Sequence, residues 1–518
     1  MLFFKRYYVT VLAILGFVDA SYLTYKHFFD RNIICYTGPF SDCGAVLNSS
    51  YSQFLGIPVA LFGVLHYLAV IYFYINANSF NTVIYKRFLF IQTFAGLILS
   101  VFFTYLQFFV IKAICPYCLL SAVISFILYF AVRAVFKEDC KRFIRDKIGV
   151  LYALFLKPLL FLMPADFVHS QAMLWGEFLG KSKFIQGFFR SLLFFEERSL
   201  EVEVAGIKFA NPIGLAAGYD YQASFTQILP SFGFGFETIG TITAQPCIGN
   251  TKPRLGRLPK SRSLLVNKGF RNPGVEQTIK KLKNLRFKFP LGVSVGQTNN
   301  DEIKDVEEAI KDIFLTFSIL EKSMTEHSFY ELNISCPNLK KSIDFYNPKN
   351  LEALLIALNK IRIKKPLFVK MPIDLSNSEI SAILAVLSRH RFLSGVIFGN
   401  LKKDRSDTSF DKDEILKAGK GNFSGYPTYR RSNELIKMTY QNYNKRFIII
   451  GCGGVFTATD AYEKIKNGAS LVQMITGMIF EGPQVVSTIN EDLCMLLRKD
   501  GFTSIKEAVG ANVEGFKK

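Results

Sequence analysis

Tyr330-Glu-Leu-Asn333-Ile-Ser-Cys336-Pro-Asn338 is the stretch on which the reading turns. Tyr330–Ile334 reads as a short buried strand that runs straight into a polar turn carrying asparagines and a thiol. Similar short apolar runs recur on either side, at Pro212–Ala216, Glu237–Thr241, Leu291–Val295, Leu367–Met371, Gly395–Phe398, Phe447–Ile450 and Leu471–Met474. Helical patterns at Ile303–Leu320, Leu351–Ile363, Ile380–His390 and Asn433–Tyr443 lie between some of them. Strands alternating with helices at this count predict an α/β TIM barrel, (β/α)8, over residues 201–518. The runs Leu200–Val204 and Ile207–Phe209, turned by Ala205-Gly206, predict a hairpin at its entrance.

Such a barrel places its chemistry at the C-terminal ends of its strands. Here those ends collect Ala217 and Gly218, Thr241, Gly296, Asn333 with Cys336 and Asn338, Lys370, Gly399 with Asn400, Gly453 with Gly454, and Thr476 with Gly477. Glycines after the seventh and eighth strands suit a phosphate held by backbone N–H groups. A lysine closing the fifth strand suits negative charge developing on a flavin ring. Each feature alone is ordinary turn chemistry, and a lone cysteine after a strand is ordinarily an inert thiol. Their collection on one rim, with Cys336 flanked by Asn333 and Asn338, is what points to a site.

The first 136 residues read differently. Four apolar stretches, Tyr7–Tyr25, Ile57–Ile75, Phe88–Ile111 and Tyr117–Val135, each approach the ~20 residues that cross a bilayer. They predict an all-α four-helix transmembrane bundle over 1–136. The first is too long for a signal-peptide core and has no convincing small-residue cleavage site after it. Lys5 and Arg6, Lys86 and Arg87, and the basic run from Arg133 to Lys147 fall on one side, so that side is expected in the cytoplasm. The loop cysteines Cys35 and Cys43, and Cys115-Pro-Tyr-Cys118, are then expected outside an inner membrane, with the barrel on its cytoplasmic face. Asp19, inside the first span, reads either as a buried paired or protonated carboxyl or as part of a proton path.

A Cys-x-x-Cys pair opening a helix has thiolate-stabilising N–H groups, and its sulfurs stand one turn apart, close enough for a disulfide. With Cys35 and Cys43 on the same side, the four sulfurs read as a thiol relay; a zinc site is the competing reading, at a longer loop spacing than zinc usually takes. Between the two regions, 137–200 reads as a polar linker, Asp139–Lys147, followed by apolar stretches Leu151–Met163 and Ile185–Phe195. These are expected as amphipathic helices on the inner leaflet, or as a helical cap on the barrel. The chain has 518 residues and a net charge of +20. No basic-aromatic repeat accompanies that charge, so it is assigned to an anionic membrane surface and no nucleic-acid partner is expected.

Two families are resembled. Cys43-Gly-Ala-Val-Leu-Asn-Ser-Ser50-Tyr, Phe54-Leu-Gly-Ile-Pro-Val-Ala-Leu-Phe-Gly63 and Cys115-Pro-Tyr-Cys118 resemble the bacterial vitamin K epoxide reductase family. That resemblance implies Cys118 facing a quinone, Cys115 exchanging with Cys43, and Cys35 meeting a separate thioredoxin-like dithiol protein. Ala216-Ala-Gly-Tyr-Asp220, Gly249-Asn-Thr-Lys-Pro-Arg254, Asn333–Asn338, Val369-Lys370-Met-Pro-Ile-Asp374, Phe423-Ser-Gly425 and Val472-Gln-Met-Ile-Thr476-Gly477 resemble dihydroorotate dehydrogenase of the membrane-bound, quinone-using class. It implies FMN at Ala217, Gly218, Thr241, Asn333, Lys370, Gly425, Gly453, Gly454, Thr476 and Gly477. It implies substrate at Asn267, Asn333, Asn338 and Asn400, Cys336 as the base, and quinone as acceptor in pyrimidine biosynthesis.

This chain departs from that pattern at several positions. The membrane class carries serine where Cys336 stands. Tyr221 replaces the lysine after Gly-x-Asp, Leu401 the threonine after Asn400, and Ser294 an asparagine of strand three. The loop Val266–Gly274 is one residue short, which leaves the register of Asn267 open and makes Lys268 or Arg271 a candidate for the missing positive charge. The departures keep two alternatives in play: FMN chemistry on another cyclic amide or enoate, and a flavin-loaded barrel that regulates the thiol domain.

Overall fold

The computed structural model describes residues 2–29, 42–80, 83–340 and 343–513. The chain divides into two units, Met1–Ile144 and Arg145–Lys518. In the first, four helical spans long and apolar enough to cross a membrane run over Tyr7–Phe29, Val59–Ser79, Ile84–Ile111 and Pro116–Val135. Their contacts are made by small residues that let rings in. A Cβ on Gly16 would lie 2.3 Å from the Tyr67 ring, and one on Gly96 2.3 Å from the His66 ring.

The second unit holds a closed ring of eight parallel strands. In chain order these are β1 (Ile213–Leu215), β2 (Phe236–Ile242), β3 (Leu291–Val295), β4 (Phe329–Asn333), β5 (Leu367–Met371), β6 (Leu393–Phe398), β7 (Ile448–Cys452) and β8 (Leu471–Met474). β8 closes on β1. All eight expected runs are strands, within two residues of the expected ends, because each is a short apolar run cut off by Gly, Pro or Asn. The helices outside follow equally local rules. Asn377–Arg389 starts at a Ser376/Glu379 capping box and buries Ile380, Ile383, Leu384 and Leu387 on one face.

Phe236, Phe329 and Phe368 plug the barrel interior, with ring centroids 6.2 and 5.8 Å apart at near-perpendicular tilts. Gly214 and Gly292 make that possible, since a Cβ on either would sit 2.3 Å from a ring of the plug. Over the opposite end lies a small antiparallel sheet of Leu255–Leu258, Ser263–Val266 and Asn422–Gly425, which the sequence reading did not contain.

The stretch expected as a polar linker is helical. Lys137–Leu151 is a helix, and it continues through a wide turn at Tyr152–Leu156 into Lys157–Leu162. The stretch holds many charges but only one glycine and no proline before Pro158, and Lys, Arg and Leu are good helix formers. The wide turn precedes Pro158, where the missing N–H would otherwise leave a gap in the ladder. After Pro164 the chain turns by 118° into Ala165–Lys181. The two arms together meet the length and hydropathy of a broken span or re-entrant pair, so they are longer than the short amphipathic pieces expected. Phe329→Ala empties the barrel plug and is expected to cost about 3–5 kcal/mol, measured as the shift in the denaturant midpoint of the detergent-solubilised protein.

Candidate active sites

Parallel register brings the rim of the barrel together. Asn333 pairs with Lys370 across β4 and β5, so both side chains leave the sheet at the same level. Behind them runs a buried polar chain. Lys370 Nζ lies 3.5 Å from Glu331 Oε1, with both side chains almost wholly buried. Ser294 Oγ donates to the same Glu331 oxygen at 2.8 Å and lies 3.0 Å from Thr241 Oγ1. Thr241 Oγ1 accepts from Asn333 Nδ2 at 2.9 Å. Ser294, noted from sequence as a departure, is therefore an integral link in this chain.

A cavity of about 200 Å³ opens above these residues. Its wall includes the expected cofactor residues Ala217, Gly218, Thr241, Asn333 and Lys370, and the expected substrate residues Asn338 and Asn400 beside Cys336. Gly218 has φ +111°, and a Cβ there would meet only Ile475 at 4.0 Å, so the loop after β1 faces open space. A second cavity of about 80 Å³ shares the Lys370 and Asn400 wall and is lined by Gly425, Gly453, Gly454, Thr476 and Gly477. Gly453 and Gly454 take φ of +96° and +70°, a turn that only glycine forms without strain. Ser424 Oγ lies 2.8 Å from Thr476 Oγ1 and ties the covering sheet to this turn region. The two cavities suit a planar ring over the barrel mouth with a phosphate among the glycines.

The asparagines are held by neighbouring side chains and carbonyls. Asn338 Nδ2 donates to Val266 O at 3.0 Å, and its Oδ1 accepts from Asn422 Nδ2 at 2.6 Å. Asn400 Nδ2 donates to Ser335 Oγ and O, at 2.5 and 3.1 Å. Asn267 is buried, and its Oδ1 accepts from Asn250 Nδ2 at 2.8 Å. It is not among the residues lining the cavity, whereas its neighbours Val266 and Lys268 are. Burial pushes the Cys336 thiol up to about 11, against the pull of the Asn338 N–H and of Lys370 and Lys403. His169, from the Ala165–Lys181 helix, also lines the cavity, with its ring stacked on Tyr221 at 5.7 Å. Nothing in the local sequence marks it.

In the first unit, Cys115 caps the helix Pro116–Val135, and its Sγ accepts from Cys118 N at 3.4 Å. Cys115 N donates to Gln107 Oε1 at 2.9 Å. Cys43 packs with Cys115, Leu23 and Leu47 in one buried cluster, against which Cys118 also rests. Cys43 is disulfide-bonded, while Cys115 and Cys118 are free thiols. Cys35 lies outside the described residues. A cavity of about 590 Å³ runs through the bundle beside Cys118, with His66, Tyr67, Gln92 and Gln107 among its few polar walls.

Two family models match the chain: dihydroorotate dehydrogenase over residues 199–497, and the vitamin K epoxide reductase family over residues 7–132. The quinone-type dihydroorotate dehydrogenase of Trichodesmium erythraeum is 36% identical over 331 residues, which is 62% of this chain and 85% of that protein. That of Helicobacter acinonychis is 34% identical over 367 residues, 70% of this chain and 100% of its own. Ligand-free dihydroorotate dehydrogenase from Eimeria tenella superposes with a TM-score of 0.59 at 26% identity, over 67% of this chain and 98% of that one. Its complex with ferulenol gives 0.58, over 67% and 95%. A parallel barrel whose mouth gathers a thiol, a lysine and glycine turns, in this company, is an oxidoreductase. The chain belongs to the dihydroorotate dehydrogenase family, with a vitamin K epoxide reductase domain fused ahead of the barrel.

Glu331→Ala leaves the Lys370 ammonium buried without its carboxylate. The substitution is expected to destabilise the barrel by about 3–5 kcal/mol, read from denaturant unfolding of the solubilised chain.

Proposed function

We propose that the barrel oxidises dihydroorotate to orotate with FMN bound in the joined cavities and quinone as the final acceptor. The observation that carries this is one cavity wall shared by Cys336, Lys370 and three asparagines. The reaction removes a proton from C5 and a hydride from C6 of the dihydropyrimidine ring. FMN, when bound, supplies the hydride acceptor. Cys336 takes the C5 proton. Asn333, Asn338 and Asn400 offer amide donors and acceptors that match the alternating N–H and C=O edge of the ring. Lys370, kept in place by Glu331, supplies positive charge at the barrel mouth. Gly425, Gly453, Gly454, Thr476 and Gly477 hold the phosphate through backbone N–H groups and the Thr476 hydroxyl.

The amino-terminal domain is read as a thiol:quinone oxidoreductase. A dithiol partner of thioredoxin type reduces the loop pair Cys35 and Cys43, the electrons pass to Cys115 and Cys118 by disulfide exchange, and Cys118 delivers them to quinone in the bundle cavity. The support is the packing of Cys43, Cys115 and Cys118 beside a largely apolar cavity. The charge pattern supports reading this chemistry outside the cytoplasmic membrane and the barrel inside it.

Membranes given dihydroorotate and a soluble quinone are expected to form orotate and quinol in equal amounts. Because the Cys336 thiol is raised to about 11, its base form becomes more abundant as pH climbs through neutrality. Stopped-flow flavin reduction should therefore rise about tenfold per pH unit there, and Cys336→Ala should be slower by about 10²–10⁴-fold. A flat profile in the wild type contradicts the assignment. Cys118→Ser is expected to abolish quinone reduction by a reduced dithiol protein while leaving orotate formation intact.

A further inference from the structure

The cavity wall carries two lysines with opposite surroundings. Lys370 is matched by Glu331 at 3.5 Å. Lys268 forms no ion pair among the described residues. Its Nζ lies 3.2 Å from Gly218 O and 3.0 Å from His169 Nε2, and both are neutral partners. It also stands 5.0 Å from the centre of the Tyr221 ring, with the Arg271 guanidinium 5.6 Å from the same centre. The backbone here is pinned rather than loose. Asn250 N donates to Lys268 O at 3.1 Å, and Gly269 takes φ +60°, where a Cβ would lie 2.5 Å from Asn299 Nδ2. Burial brings the Lys268 ammonium down to about 7, with Asp166 and Asp220 favouring its charge and Arg271 and Arg254 opposing it. An amine without a carboxylate partner at a cavity wall can take up a proton and meet an anion that arrives there.

The position of Lys268 selects which anion. Its contacts are the carbonyl of Gly218, in the loop after β1, and His169 of the Ala165–Lys181 helix. Gly218 is among the residues expected at the flavin, whereas Cys336 and Asn400 come from the loops after β4 and β6 and Asn333 ends β4; Asn338 bonds Val266, two residues from Lys268. Two-electron reduction with uptake of one proton leaves one negative charge on a flavin ring. We infer that Lys268 is a second cation, beside Lys370, that meets this charge, in place of position 221, where this chain carries tyrosine. Tyr221 then acts as the flat support that His169, Lys268 and Arg271 surround. This rests on the reading that FMN fills the cavity.

The test uses the full-length solubilised protein with its FMN content measured first. Wild-type protein that binds no FMN defeats the functional reading itself, and the Lys268 assignment falls with it. With FMN bound, Lys268→Met is expected to shift the oxidised–reduced equilibrium of the flavin at least tenfold toward the oxidised form, about 30 mV for a two-electron couple. Lys268→Arg should keep most of the wild-type value. The double variant Lys268→Met with Tyr221→Lys should return toward it, since the two side chains reach the same space; this variant and Lys268→Arg carry the measurement if Lys268→Met cannot retain FMN. An unchanged equilibrium with a raised KM for dihydroorotate assigns Lys268 to the substrate carboxylate and overturns the inference. Unchanged equilibrium and KM with a lowered thermal midpoint make Lys268 a tether of the helix that carries His169, and also overturn it.

Discussion

Glu331 and Lys370 stand on neighbouring strands inside a closed barrel, their charges shielded from water. Such a pair is costly to bury unless its geometry and remaining hydrogen bonds are good. The barrel supplies this on one side: Ser294 donates to Glu331 Oε1, and Thr241 and Asn333 carry the chain to the mouth, while Glu331 Oε2 is buried without a hydrogen-bond partner among the described residues. A slip of one residue along β4 would turn Glu331 and Asn333 to the other face of the strand and break every link. The polar chain and the apolar plug of Phe236, Phe329 and Phe368 beneath it therefore demand the same register.

The two units share a construction in which small residues decide where rings lie. Gly16 admits Tyr67, whose hydroxyl lies 2.8 Å from Ser121 Oγ and 3.1 Å from Ser125 Oγ. Gly96 admits His66, whose Nδ1 lies 3.1 Å from Gln92 Nε2. Gly214 and Gly292 admit the barrel plug. In both units the cavity is mostly apolar with a few fixed polar groups, the composition that binds flat, partly polar ligands.

Much of the barrel was legible because its information is local. Each strand is a short apolar run with a breaker at its end, and Asn333, Cys336 and Asn338 follow one another within six residues. The four spans were legible by length and hydropathy alone. The covering sheet was not, since Ser263–Val266 pairs with Asn422–Gly425 across more than 150 residues, and both are too short and mixed to stand out. The grouping of His169, Tyr221 and Lys268 was hidden for the same reason, as it draws on three separated segments. Dense charge over Asp139–Lys147 reads as a linker, yet those residues are helix formers and lie within the helix Lys137–Leu151. Asn267 is buried and accepts a hydrogen bond from Asn250, a placement that motif matching alone does not give.

The central claim is that one barrel mouth brings a flavin together with a dihydropyrimidine and the Cys336 thiol. Its most direct test is an anaerobic titration of the FMN-loaded protein with dihydroorotate, without quinone, followed by flavin absorbance. The account predicts complete bleaching at one equivalent, with one orotate formed per flavin. Flavin that stays fully oxidised with dihydroorotate in excess would contradict it.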